Sequence, residues 1–173
     1  QFFDMSFEEL LREKHPRSWL EFELGERDEE SFLRDFFADG RDYDTTEFVR
    51  PVSAAYRFLP GIADLLGDLA SVNADIHLFS NYPSWHHPVE AATSLSQFAR
   101  WTFVSWEQGV RKPDAAAFLR CAELAGTGVE GTIFVDDQAR NIDAALKLGL
   151  DAIIFVNAAQ LRGALVTRGL LKA

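Results

Sequence analysis

The stretch TIFVDDQARNID, residues 132–143, constrains the fold more than any other part of the chain. Ile133, Phe134 and Val135 form a short apolar run of the kind found in a strand buried on both faces, and Ile142, Ala145, Leu146 and Leu148 then repeat with helical period. A strand leading straight into a helix belongs to an α/β unit. Asp136 and Asp137 fall at the strand's carboxyl edge, where open α/β sheets bind ligands. Two adjacent carboxylates repel unless a cation or a lysine offsets them, and a hard divalent ion such as magnesium suits carboxylate oxygen. The alternative is that the pair caps the following helix, whose N-terminus favours negative charge.

Upstream, Ser6 with Glu9 three places later makes a capping box, and Phe7, Leu10 and Leu11 continue as an amphipathic helix to about residue 13. His15 and Pro16 break it. Trp19, Phe22 and Leu24 resume an apolar face that stops at Gly25, and an acidic run leads into Phe32, Leu33, Phe36 and Phe37 before Asp39 and Gly40 turn the chain. Residues 1–49 therefore read as a small all-helical unit. From Pro51 helix and strand alternate: a helix after Pro60 and Gly61 carrying Ile62, Leu65, Leu66 and Leu69, strands over 76–79, 101–104, 132–135 and 152–156, and helices over 115–125 and 139–148. Strands separated in this way call for one parallel sheet with right-handed crossovers, so residues 50–173 predict a Rossmann-like α/β core.

Composition narrows the function. At 173 residues and 47% hydrophobic content the chain can bury a full core, and its net charge of -10 disfavours nucleic acid or an anionic membrane as partner. No apolar run reaches the roughly 20 residues of a membrane-spanning helix, so no membrane insertion is expected. The single cysteine, Cys121, lies in a helical stretch with no zinc-like spacing around it. Gln1 stands where a Met would begin a chain, and no targeting segment is recognisable, so a processed or partial chain is expected.

Three strand ends carry polar residues: Ser80 and Asn81 after the first, Lys112 in the loop beyond the second, Asp136 and Asp137 after the third. In a parallel sheet these ends lie on one side. A hydroxyl with backbone amides can hold phosphate oxygens, a lysine can neutralise developing charge, and aspartates can hold a metal, which together describe phosphoryl transfer. Taken singly each has a plainer reading: Ser80 as a cap, Lys112 as a surface lysine, Pro113 and Asp114 as a helix start.

The segments LFSN, RKPD and FVDDQARN, in that order, resemble the motifs of the haloacid dehalogenase (HAD) superfamily of hydrolases. Over its whole length, including SWLEFELGERDEESFLRDFFADGRDYD, the chain resembles the plant and algal members described as chloroplast flavin mononucleotide (FMN) hydrolases. The resemblance implies a HAD-like core with residues 1–49 as a helical cap, a small phosphorylated substrate such as FMN, and a chloroplast location. It implies that Ser80 and Asn81 bind phosphate, that Lys112 steadies phosphate and nucleophile, that Asp136 and Asp137 hold Mg2+, and that Asn141 orients their loop. Tyr82 could stack on a flat ring or simply pack, as could Trp85. His86 and His87 are expected to face solvent or cap a helix.

The family's nucleophile is the first Asp of a D-x-D ending a strand ahead of the cap, and this chain has no such segment. Asp4 follows only Gln1, Phe2 and Phe3 and leads into the capped helix, while Asp42 and Asp44 follow Gly40 and Arg41, which form no apolar strand. No residue of the chain is assigned as nucleophile. A missing central strand would leave its neighbours' flanks unpaired, to be filled by an upstream segment or a partner chain. The alternative is a catalytically inactive HAD-like domain serving as a subunit of a larger organellar assembly.

Overall fold

The computed structural model describes residues 5–172; Asp4 and the residues before it lie outside the described residues. Four helices come first: α1 (Phe7–Glu13), α2 (Ser18–Glu23), α3 (Glu29–Arg34) and α4 (Thr45–Ala54). Their starts follow from local chemistry. Ser6 and Glu9 form the reciprocal capping box, Asp28 accepts from Ser31 N at the head of α3, and Asp44 accepts from Glu47 N at the head of α4. The helices close on an aromatic core of Phe22, Phe32, Phe36, Phe37 and Phe48, completed by Trp85 from beyond the first strand. Two details depart from the expected all-helical unit ending at residue 49. Lys14 and Phe37 form an antiparallel bridge, and α4 carries Pro51 within it and ends at Ala54, so the change of texture at Pro51 is not a structural boundary.

The remainder alternates as α5 (Ile62–Ser71), β1 (His77–Ser80), α6 (His86–Thr93), β2 (Arg100–Val104), α7 (Ser105–Gln108), α8 (Ala115–Ala125), β3 (Ile133–Asp136), α9 (Ala139–Lys147), β4 (Asp151–Ile154) and α10 (Ala158–Thr167). Among the described residues the four strands pair in parallel, as an α/β fold requires, but the expected single sheet is divided into β1 with β2 and β3 with β4. Across the division the rings of Phe79 on β1 and Phe134 on β3 lie 5.8 Å apart, so these two strands face each other without a ladder between them. The division also changes β3. Phe134 is buried, but Val135 is 37% exposed, so β3 is not covered on both faces as its apolar run suggested.

Two apolar clusters serve this divided region. Leu65 and Leu69 of α5 pack with Leu161 and Leu165 of α10 on Ile153 of β4, while Phe118 of α8 packs with Ile142 and Ala145 of α9 on Phe134 of β3. Strands and helices thus fix where the carboxyl ends of β1 and β3 emerge, and those ends carry Ser80 and Asp136.

Candidate active site

Lys112, which enters from the loop ahead of α8, bridges the two strand pairs at their carboxyl ends. Its ammonium donates to the Phe79 carbonyl at 2.6 Å and to Asp136 Oδ2 at 2.7 Å, and it lies over the Phe79 ring, 4.6 Å from the centroid. The side chains of Lys112 and Asp136 are 8% and 7% exposed. A buried ion pair persists only when its remaining hydrogen-bonding capacity is filled. Asp136 Oδ1 accepts from Gln138 N at 2.8 Å and Asn141 Nδ2 at 3.0 Å. Asn141 and the Gln138 N–H thus hold the second oxygen of Asp136.

The Asn81 side chain is engaged by the backbone of Lys112. Its Oδ1 accepts from Lys112 N and its Nδ2 donates to Lys112 O, both at 2.8 Å, so both ends of the amide are engaged with the lysine's backbone. Such a clamp sets where Lys112 stands, and Ser80 lies half-buried beside it at the end of β1. Asp114 caps α8 by accepting from Ala116 N at 2.9 Å. Asp137 is exposed and accepts from Gln138 Nε2 at 3.1 Å.

Magnesium needs few protein oxygens, because it keeps several waters and shares the phosphate oxygens of its substrate. Asp136 Oδ2 accepts from a single donor, Asp137 is turned to solvent, and Asn141 Oδ1 is buried without a hydrogen-bond partner among the described residues. These hard oxygens suit that ion in kind. Among the described residues no group of three or more His, Cys, Asp or Glu side chains is arranged to hold a metal.

The helical unit sits over this edge. Trp85, after β1, donates from Nε1 to Glu29 at 2.7 Å, and Ser105, at the end of β2, donates to the Glu23 carbonyl at 2.6 Å while accepting from Tyr82 N at 3.0 Å. Gly25 is obligatory at this seam: its φ is +70°, and a Cβ there would stand 2.4 Å from the Trp106 carbonyl oxygen. Tyr82 meets Trp19 edge-on and hydrogen-bonds Tyr56 through their hydroxyls at 2.9 Å, while Trp85 is buried as packing. Of the two histidines expected to face solvent or cap a helix, His86 is instead buried against Trp101 and Trp106, whereas His87 is exposed.

Three residues at the seam escaped the sequence reading: Glu23, Ser105 and Arg111. Glu23 is buried, accepts from Trp19 Nε1 at 2.5 Å and lies 3.1 Å from Arg111 Nη2. Burial raises its carboxyl above the ordinary range, while the charge of Arg111 and the Trp19 hydrogen bond oppose that shift. The four-residue spacing of Trp19 and Glu23 was the available signal, since it places both on one helix face.

No protein-family model matches the chain. It is 40% identical over 157 residues, 91% of its length, to the chloroplast flavin mononucleotide hydrolase 1 of Arabidopsis thaliana, and 27% identical over 95 residues, 54% of its length, to a phosphoglycolate phosphatase of Pseudomonas putida. It spans 64% and 35% of those two relatives, less than two thirds of either. Among solved structures, a HAD family enzyme from Bacteroides thetaiotaomicron in complex with magnesium and inorganic phosphate superposes with a TM-score of 0.68 at 21% identity, covering 83% of this chain and 78% of the other.

Proposed function

The chain has the haloacid dehalogenase-like fold, and on that footing we propose that it hydrolyses a small phosphomonoester, FMN by its likeness to the plant enzyme, in the chloroplast. The observation that carries this reading is the buried Lys112–Asp136 pair at 2.7 Å, held beneath the helical unit where the carboxyl ends of β1 and β3 converge. A cation and a carboxylate so placed can hold a phosphoryl group and meet the charge that develops on it. Ser80 binds phosphate, Lys112 steadies it, Asn81 and Asn141 position Lys112 and Asp136, and Asp136 with Asp137 takes magnesium. When bound, that ion neutralises phosphate oxygens. The helical unit, α1 to α4, acts as a cap that excludes water from the site.

The nucleophile is an aspartate on a strand that fills the division between β1 and β3. What supports this is the unladdered face between those strands together with the absence, among the described residues, of a third acid at the site. The test compares the 173-residue chain with the full native polypeptide in a magnesium-supplemented FMN phosphatase assay. The chain alone is expected to show no turnover, and the full polypeptide to turn over and to lose it when the first Asp of its D-x-D is changed to Asn. Turnover by the chain alone, abolished by Asp4→Asn, would overturn the assignment of the nucleophile. A full polypeptide without a D-x-D strand would overturn the phosphatase reading in favour of a non-catalytic subunit of a larger assembly.

A further inference from the structure

The Glu23 carboxylate is surrounded in an unusual way. The residue following Asn81 is Tyr82 and the residue before Lys112 is Arg111, so two segments of the phosphate site each have an immediate neighbour that contacts α2. Arg111 lies 3.1 Å from Glu23, and Tyr82 meets Trp19 of the same helix edge-on. In the closed arrangement Glu23 is also tied to the core. Ser105 Oγ binds the Glu23 carbonyl and the Tyr82 N–H together, and Trp19 Nε1 occupies one carboxylate oxygen.

Yet the arrangement is incomplete. Among the described residues Glu23 Oε2 and Arg111 Nε are buried with no hydrogen-bond partner, because the contact of Oε2 with Arg111 Nη2 is an ion pair without hydrogen-bond geometry. A buried acceptor and a buried donor left over on one ion pair represent unused binding capacity, and buried polar groups are rarely left so. An acceptor beside a donor complements one kind of edge: an N–H beside a carbonyl, as in a cyclic imide or lactam. The carboxylate accepts the N–H as a charge-assisted bond and the guanidinium donates to the carbonyl.

We infer that Glu23 and Arg111 read the end of the substrate remote from its phosphate, pairing with a ring edge that carries an N–H beside a carbonyl, as flavin and uracil rings do. This rests on the phosphatase reading above, which places the phosphate at Ser80 and Lys112, one residue along the chain from Arg111. Both atoms are closed off while α2 is seated on the core, so the ring reaches them as the helical unit parts from it and is held when the unit returns. The role is one of specificity: an aryl phosphate without such an edge would be hydrolysed without engaging Glu23.

The test is binding, which needs no nucleophile. The full native protein with magnesium is titrated with FMN and with FMN methylated at the imide nitrogen, read by flavin fluorescence. UMP and its N3-methyl form are read by displacement, and inorganic phosphate serves as the probe of the phosphate site. Methylation is expected to weaken binding roughly tenfold or more, because it removes a hydrogen bond to a charged group. The methylation penalty should vanish in Glu23→Leu and persist in part in Glu23→Gln, which keeps an acceptor. Should Glu23→Leu fail to fold, the methylated ligands still decide the matter on the unaltered protein. A penalty confined to FMN identifies a flavin as the substrate, and one confined to UMP a uracil nucleotide. Equal affinity for methylated and unmethylated ligands would overturn the inference, as would phosphate binding with neither ring held more tightly than phosphate itself. Failure of inorganic phosphate, FMN and UMP alike would overturn the phosphate-site reading on which it rests.

Discussion

The helical unit and the sheet region solve the same packing problem in opposite ways. In the helical unit one continuous aromatic cluster does the work: Phe22 is fully buried, stacks on Phe32 at 4.7 Å and meets Trp85 edge-on at 5.6 Å. In the sheet region the apolar residues are split between two clusters, and what spans the two strand pairs at their carboxyl ends is a charged side chain, Lys112. An apolar core is indifferent to which groups meet as long as volume and shape are kept, whereas a buried ion pair specifies its partners and costs desolvation. The region that accepts that cost is the one proposed to bind phosphate. Where a chain departs from the cheapest way to pack, function is the first explanation to test.

Two substitutions would break this comparison if it is wrong. Phe22→Ala removes a ring that is 0% exposed and leaves a cavity, so denaturant titration is expected to show a loss of about 4 kcal/mol. Its effect on inorganic phosphate affinity should be small until the helical unit unfolds. Lys112→Met leaves Asp136 buried without its counter-charge and is expected to cost about 3 kcal/mol while abolishing phosphate affinity. The double change Lys112→Met with Asp136→Leu should recover most of that stability without restoring phosphate binding. If Lys112→Met alone were neutral, the ion pair would not be what holds the two strand pairs in place.

The same contrast explains what could be read from the sequence. The helical periods, the capping box at Ser6 and the strand–helix order were legible because each depends on neighbours within a few residues. The helix predicted over 115–125 has those bounds in the structure, with Asp114 as its cap. The meeting of Lys112 and Asp136 was also legible, because parallel strands bring their carboxyl ends to one side. What was hidden is tertiary. The division of the sheet depends on which strand ends up beside which, the course of α4 through Pro51 depends on Phe48 being drawn into the aromatic core, and α10 carried no sufficiently distinctive period. A glutamate in an amphipathic helix reads as a solvated face, so Glu23 looked unremarkable until Arg111 came to it from a distant loop.

The smallest expected effect sharpens the comparison at its boundary. His86 begins α6, immediately after Trp85 of the aromatic core, and packs against Trp101 of β2, so it belongs to both regions. Its ring also faces the His87 ring at 4.0 Å, the Pro83 carbonyl at 3.2 Å and Glu107 Oε1 at 3.7 Å. Burial holds its pKa below the ordinary imidazole value; the Pro83 hydrogen bond and the Glu107 charge oppose that, and His87 adds to it. The folded protein therefore binds fewer protons here than the unfolded chain does. Where the unfolded state binds more protons, stability rises with pH, so this group's contribution is complete above the unfolded pKa and is lost as pH falls through the folded one. Replacing His86 by Phe should remove that part of the acid sensitivity while leaving stability above neutrality nearly unchanged, which parallel denaturant titrations across the acid range would measure. Fluorescence of the tryptophans adds the regional information, because Trp19 and Trp85 lie on the aromatic side and Trp101 and Trp106 on the strand side. If acid protonates His86 and both sides lose structure together, the seam couples the two regions. If the strand side loosens while the aromatic cluster holds, the continuous core is the more autonomous of the two.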